Sequence, residues 1–297
     1  MKDNGKRIAD MVDSQTIKSV REWTWIFLQD MPLVYGKGIP NVLTHPNAEP
    51  FFFFAKNVKK AYPYNCTKKQ CNCPQHTWNA WRYETVYLND FNPYETFGYE
   101  WRPPPLKEYY YKPIKVDKPI IVLNNKFNEE WNTSPTNFLS LNFIKGFIET
   151  FKHKYDIYYI RYDNQMKTDG YFDDAETYTF EDYKSPTLLK EVFTIYDYMK
   201  ENKVGFNQAQ LEMMAQAKHI VTVNGGNAVL SSYFGSDVMI YSCLDVLPER
   251  GIWMTNSWLR MLSGSNIYGL LMKKKCWKSV RKNGYKRYIN IRFYIFN

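Results

Sequence analysis

The sequence predicts an α/β protein built on a doubly wound parallel sheet, and three observations carry that prediction. Short unbroken apolar runs recur beyond residue 117, stretches with apolar residues at helical spacing separate them, and the joining loops are short. Ile120-Ile121-Val122-Leu123 is the first run, of the type buried on both faces of a parallel sheet. A loop with Asn124, Asn125 and Lys126 follows. Ser134-Pro135 then reads as an N-cap with proline at the first helical position, ahead of Leu141, Ile144, Phe147, Ile148 and Phe151 at helical spacing. Asp156–Ile160 is the next strand and ends at Arg161. Ser185-Pro186 repeats the device, with Leu188, Val192, Ile195 and Met199 along one helix face. Asn207 is placed to cap a further helix carrying Leu211 and Met214. Ile220–Val223 is a strand, Asn224-Gly225-Gly226-Asn227 a tight loop, Ala228–Phe234 a short helix closed by Gly235, and Val238–Tyr241 another strand.

Upstream the texture differs. Trp25–Leu28, Asn41–Thr44, Phe51–Phe54 and Thr85–Leu88 are strand-like runs, rich in aromatic and β-branched residues and bounded by Pro, Gly or Asn. Five prolines between Arg102 and Pro119 disfavour helix and sheet interior and suit an extended connector. The chain therefore divides into residues 1–116, an α/β domain over 117–262 and a tail over 263–297. No internal repeat marks it as a solenoid.

Composition bounds the function. With 297 residues, 44% hydrophobic and 18% aromatic, the chain is not a disordered one. No apolar run approaches the roughly 18 residues of a membrane span, and the polar opening Met1-Lys2-Asp3-Asn4-Gly5-Lys6-Arg7 has no apolar stretch behind it. Five cysteines, an odd number in a chain this long, argue against a disulfide scaffold. A soluble cytoplasmic protein is expected. The net charge of +9 is a property of the tail: nine basic residues and no acidic one lie between Lys273 and Asn297, which leaves thirty of each sign elsewhere. A neutral body does not carry the broad positive field of a nucleic-acid enzyme.

The Asn224–Ala228 segment is the most informative for chemistry. A glycine pair between a buried strand and a helix lets a ligand approach the backbone, and the helix start favours an anion. Ligands of such sheets bind beyond the carboxyl ends of the strands, where this loop lies. Lys126 follows the first strand and Arg161 ends the second, so both cations reach the same edge of a parallel sheet. Together they point to an anionic ligand, a nucleoside diphosphate. The residues also read more plainly, as a strand-to-helix turn, a solvated lysine and a structural arginine ion pair.

On these residues the segment 117–242 resembles the donor-binding domain of GT-B glycosyltransferases. The resemblance rests on Ile121-Val122-Leu123-Asn124-Asn125-Lys126 with Glu130-Trp131, on Asp156–Arg161 and on Phe206–Gly235. In its Tyr-, Asn- and Lys-heavy style it is similar to capsid-glycan glycosyltransferases of large algal viruses, xylosyltransferases among them, which implies host cytoplasm as the compartment. It implies two Rossmann-like domains facing a cleft. It also implies a donor site of Asn125, Lys126, Arg161, Asn224, Gly225, Gly226, Asn227 and Ala228, with the glycan acceptor and the general base on the N-terminal side. The activity it implies is transfer of a sugar, with xylose as a candidate, from a UDP-linked nucleoside-diphosphate sugar to a glycan hydroxyl.

None of the 15 Asp residues lies two positions from another, so the Asp-x-Asp device for Mg²⁺ or Mn²⁺ is missing and no metal cofactor is expected. An inverting transfer needs one base. Asp90 is favoured, after Thr85–Asn89 and before the aromatic stretch from Phe91 to Trp101, although with Asn92-Pro93 it equally reads as a turn-former. His45 is the reserve, and Asp30 a further candidate. Cys66, Cys71, Cys73 and His76 suggest zinc, but Cys-x-Cys is tighter than usual ligand spacing and free thiols are the default. The basic, aromatic tail suits a membrane surface or a nucleic-acid backbone, or is a final strand with a solvated loop. A non-catalytic nucleic-acid-binding protein is accordingly the alternative, although no stable nucleic-acid partner is expected. A dehydrogenase ranks last, since no Gly-x-Gly-x-x-Gly follows the first strand.

Overall fold

A computed structural model describes residues 12–13, 16–19, 31–38, 40–44, 46–60, 98–113, 116–128, 135–163, 178–243 and 264–272. Its strands are β1 (Val12–Asp13), β2 (Thr16–Ser19), β3 (Asn41–Thr44), β4 (Asn57–Lys60), β5 (Ile120–Asn124), β6 (Asp156–Ile160), β7 (Phe193–Thr194), β8 (His219–Val223), β9 (Asp237–Cys243) and β10 (Ile267–Met272). The α-helices are α1 (Met31–Lys37), α2 (Leu106–Tyr110), α3 (Leu141–Phe151), α4 (Pro186–Glu191), α5 (Ile195–Asn202), α6 (Phe206–Gln216) and α7 (Gly226–Ser231). Strands β5 to β10 form one six-stranded sheet in the order β10-β9-β8-β5-β6-β7, with every pairing parallel. Numbered within the sheet, that order is 3-2-1-4-5-6 read from β7, the order of dinucleotide-binding folds. The chain leaves β5 toward β6 and β7, then crosses back to lay β8 on the other side of β5.

Alternation along the strands assigns the two faces. Ile121 and Leu123 of β5, Tyr159 of β6 and Val221 and Val223 of β8 pack with Ile144, Phe147, Ile148 and Phe151 of α3 and Leu188 of α4. Ile120 and Val122, Ile160, Ile220, Val238 and Ile240 face the other way, onto α5, α6 and α7. Helices thus cover both faces, as a parallel sheet requires. On the second face the core continues into Met31, Val34, Val42, Phe51 and Phe52, so N-terminal elements lie over α6. This explains why α6 is buried nearly all round. It also carries a buried carboxylate: Glu212 is paired with Lys112 Nζ at 2.6 Å and accepts hydrogen bonds from Tyr198 Oη at 3.0 Å and Gln208 Nε2 at 2.8 Å. The smaller sheet orders β1-β2-β3-β4, antiparallel at β1–β2 and parallel thereafter.

Several expectations need correction. Helix α3 begins at Leu141 rather than after Ser134-Pro135, because Ser140 Oγ accepts from Phe143 N and Asn125 fixes Leu139 just ahead of it. The single helix expected from Ser185 to Met199 is interrupted by β7. A capping box at Thr194 restarts it: Thr194 Oγ1 accepts from Asp197 N at 3.2 Å, and Asp197 Oδ2 accepts from Thr194 N at 3.0 Å. Gly205, not Asn207, occupies the N-cap of α6. Phe51–Phe54 is not a strand, since a 3-10 helix runs from Pro46 to Phe52 with Pro50 inside it. The proline-rich connector holds the short helix α2. The sixth strand, β10, falls beyond residue 262. Among the described residues no helix is long and apolar enough to cross a membrane.

Candidate functional site

Where the chain crosses back, the segments leaving β5 and β8 diverge, Asn125 N donating to Ile160 O of β6 and Asn224 N to Tyr241 O of β9; in open parallel sheets such a divergence forms the ligand crevice. The apolar interior of both strands ends in polar residues there, Asn124 on β5 and Thr222 on β8, which are register partners. Asn227, in the first turn of α7, donates from Nδ2 to Asn124 Oδ1 at 3.1 Å and ties the two loops together. Asn224 donates from Nδ2 to Ser242 Oγ at 3.1 Å and anchors the loop to β9.

Gly225 sits at the centre with φ +116° and ψ −154°, a backbone region open only to glycine. Its N–H donates to Asn224 Oδ1 at 2.9 Å, so what the residue supplies to a ligand is room. That room is bordered by a cation: a Cβ at position 225 would lie 2.9 Å from Lys126 Nζ. Two residues about a hundred apart in sequence thus place an ammonium over a bare stretch of backbone. Because α7 has six residues, its dipole is small, and the cation beside Gly225 is the Lys126 ammonium.

The other predicted donor residues are placed differently. Asn125 is buried, with Oδ1 accepting from Leu139 N at 2.8 Å and Nδ2 donating to Leu139 O at 3.1 Å. It shapes the loop and does not face the crevice as a ligand. Ala228 packs in the core, and its N–H donates to Gly225 O at 3.0 Å.

Arg161 is 1% exposed and belongs to a separate cluster. Its Nε and one terminal nitrogen each donate to Asp182 at 2.5 Å; that same terminal nitrogen reaches Asp163 at 3.0 Å, and the other donates to Tyr162 O at 2.8 Å. The guanidinium also stands 4.9 Å from the ring centre of Tyr183. Burial alone would weaken its charge, but the hydrogen bonds and charge of Asp182 outweigh that and hold its pKa above the ordinary arginine value. Arg161 is thereby the structural ion pair and not a second cation at the glycine loop. Tyr159, also buried, donates to Asp182 Oδ2 and completes the cluster. Sequence reading missed Asp182 because nothing local links it to Arg161.

The base candidates Asp90, His45 and Asp30 lie outside the described residues, as do Cys66, Cys71, Cys73, His76 and the tail from Lys273. Comparison of the chain with family models, curated proteins and solved structures finds no match.

Proposed function

We propose that this chain is a nucleotide-sugar glycosyltransferase whose donor diphosphate binds in the crevice between β5 and β8. One observation carries the reading: Lys126 Nζ stands over Gly225 at the switch point of a 3-2-1-4-5-6 sheet. A diphosphate needs a cation and close backbone approach, and this is the place where such sheets take nucleotides. Asn224, Gly226 and Asn227, all part-exposed, border the same place. In the reaction, an acceptor hydroxyl attacks the anomeric carbon as the bond to the diphosphate breaks. The hydroxyl proton passes to a base, for which Asp90 and His45 are the candidates, and the departing charge is met by Lys126. The sequence lacks Asp-x-Asp, which favours a transfer without a metal. Within this proposal, residues 1–116 form the acceptor side of a GT-B arrangement and the donor is UDP-linked.

A thermal-shift series with UDP, GDP and ADP tests it. One nucleotide should raise the melting temperature in a saturable, concentration-dependent way, since a ligand specific to the native state stabilises it. No shift with any of the three at millimolar concentration contradicts the reading. The second reading, nucleic-acid binding, draws on the nine basic residues of the tail. It predicts RNA or DNA binding that falls steeply with salt and disappears on deleting residues 273–297.

A further inference from the structure

Asn124 and Thr222 are the two polar residues that end the buried faces of β5 and β8. Asn124 is 1% exposed and Thr222 fully buried, and they stand opposite each other across one parallel pairing. Both belong to the face that carries Ile120, Val122 and Ile220, so the side chains are neighbours on that face at the carboxyl ends of the two strands. Asn124 Oδ1 is satisfied by Asn227, but Asn124 Nδ2 and Thr222 Oγ1 are buried without a hydrogen-bond partner. Two such orphans side by side are costly in a folded protein. Valine would fill the Thr222 position at the same size with no unsatisfied hydroxyl.

Both orphan atoms can donate. An amide N–H₂ and a hydroxyl facing one place are complementary to an oxygen that only accepts, which is the chemistry of a phosphoryl group. They lie at the crevice that Lys126 and Gly225 border from the Gly225 side. We infer that Asn124 and Thr222 form the floor of the diphosphate site: they take a phosphoryl oxygen that reaches past Gly225, while Lys126 meets the outer charge. The Asn227–Asn124 bond fixes the amide so that its N–H₂, not its oxygen, is offered. This inference rests on the glycosyltransferase reading only insofar as that reading puts a diphosphate here; any diphosphate ligand would use the same floor.

Thr222→Val and Thr222→Ser separate a ligand role from a structural one. Binding of UDP, GDP, ADP and inorganic pyrophosphate is measured by titration calorimetry, and unliganded stability by chemical denaturation. The valine variant is expected to bind the preferred nucleotide about tenfold or more weakly, with unliganded stability equal to or above that of the wild type. The serine variant keeps the hydroxyl and is expected to bind within about threefold of the wild type. Asn124→Asp gives an independent reading: it preserves the acceptor for Asn227 but replaces the orphan donor by a charged oxygen, and should remove binding. Undiminished binding by Thr222→Val overturns the inference, with a buried water or simple packing left to account for the threonine. So does a loss of unliganded stability that tracks the loss of binding. If the wild type binds none of the four probes, the inference and the proposed function fall together; if it binds and Thr222→Val binds equally, only the inference falls.

Discussion

Gly225 and Arg161 show how much separate residues decide here. At φ +116° and ψ −154° a side chain is strained whatever the surrounding space, and the nearest atom to a new Cβ is the mobile end of Lys126. The clash itself is relieved by moving the lysine; the backbone cost is not. Gly225→Ala should therefore lower stability by about 1–3 kcal/mol in denaturant unfolding. It should also weaken nucleotide binding, because the ammonium is pushed from its place. Arg161 behaves in the opposite manner. Arg161→Met strands the buried carboxylates of Asp182 and Asp163 and should cost about 3–5 kcal/mol. Nucleotide affinity of the folded fraction should be unchanged. A nucleotide affinity that falls with intact stability would return Arg161 to the binding site.

Among the elements, β8 reports its own protonation. His219 opens the strand, with Nδ1 3.2 Å from Asp237 Oδ2 and Nε2 3.3 Å from Tyr155 Oη. Burial lowers its pKa below the usual value; Asp237 opposes that shift and Lys218 adds to it. The unfolded chain then takes up a proton more readily than the folded one. The resulting stabilisation is complete above the ordinary histidine pKa of about 6.5 and is lost as pH falls through it toward the folded-state value. Denaturation midpoints should drop between pH 7 and pH 5.5, and His219→Gln should flatten that drop; an unaltered slope in the variant contradicts the assignment. Element legibility followed the same physics. Asp156–Ile160 was readable because Ile157-Tyr158-Tyr159-Ile160 is a short apolar run of β-branched and aromatic residues, buried on both faces. The break between α4 and α5 was not, because the apolar residues Leu188, Val192, Ile195 and Met199 keep helical spacing straight through it. The signal that could have found it is Thr194-x-x-Asp197, a capping box inside the apparent helix.

At the scale of the molecule, strand alternation made the parallel sheet legible, while strand order was not, since pairing partners far apart in sequence leave no local trace. The place of β10 was hidden for the same reason: Ile267–Met272 joins the sheet only by register with Val238–Cys243. The candidate site divided along that line. Lys126 and the glycine loop were readable as the ends of two strands, but that β5 and β8 are neighbours is a property of the whole fold. That adjacency brings Asn124, Thr222, Lys126 and Gly225 to one edge of the sheet, and the proposed diphosphate site rests on it. Its most direct test is the dissociation constant of the preferred nucleoside diphosphate for the wild type and for Lys126→Ala, measured under identical salt. Saturable binding that weakens at least about tenfold in the variant, equivalent to about 1.4 kcal/mol, is expected; equal affinity in the two proteins would rule out a diphosphate held by Lys126.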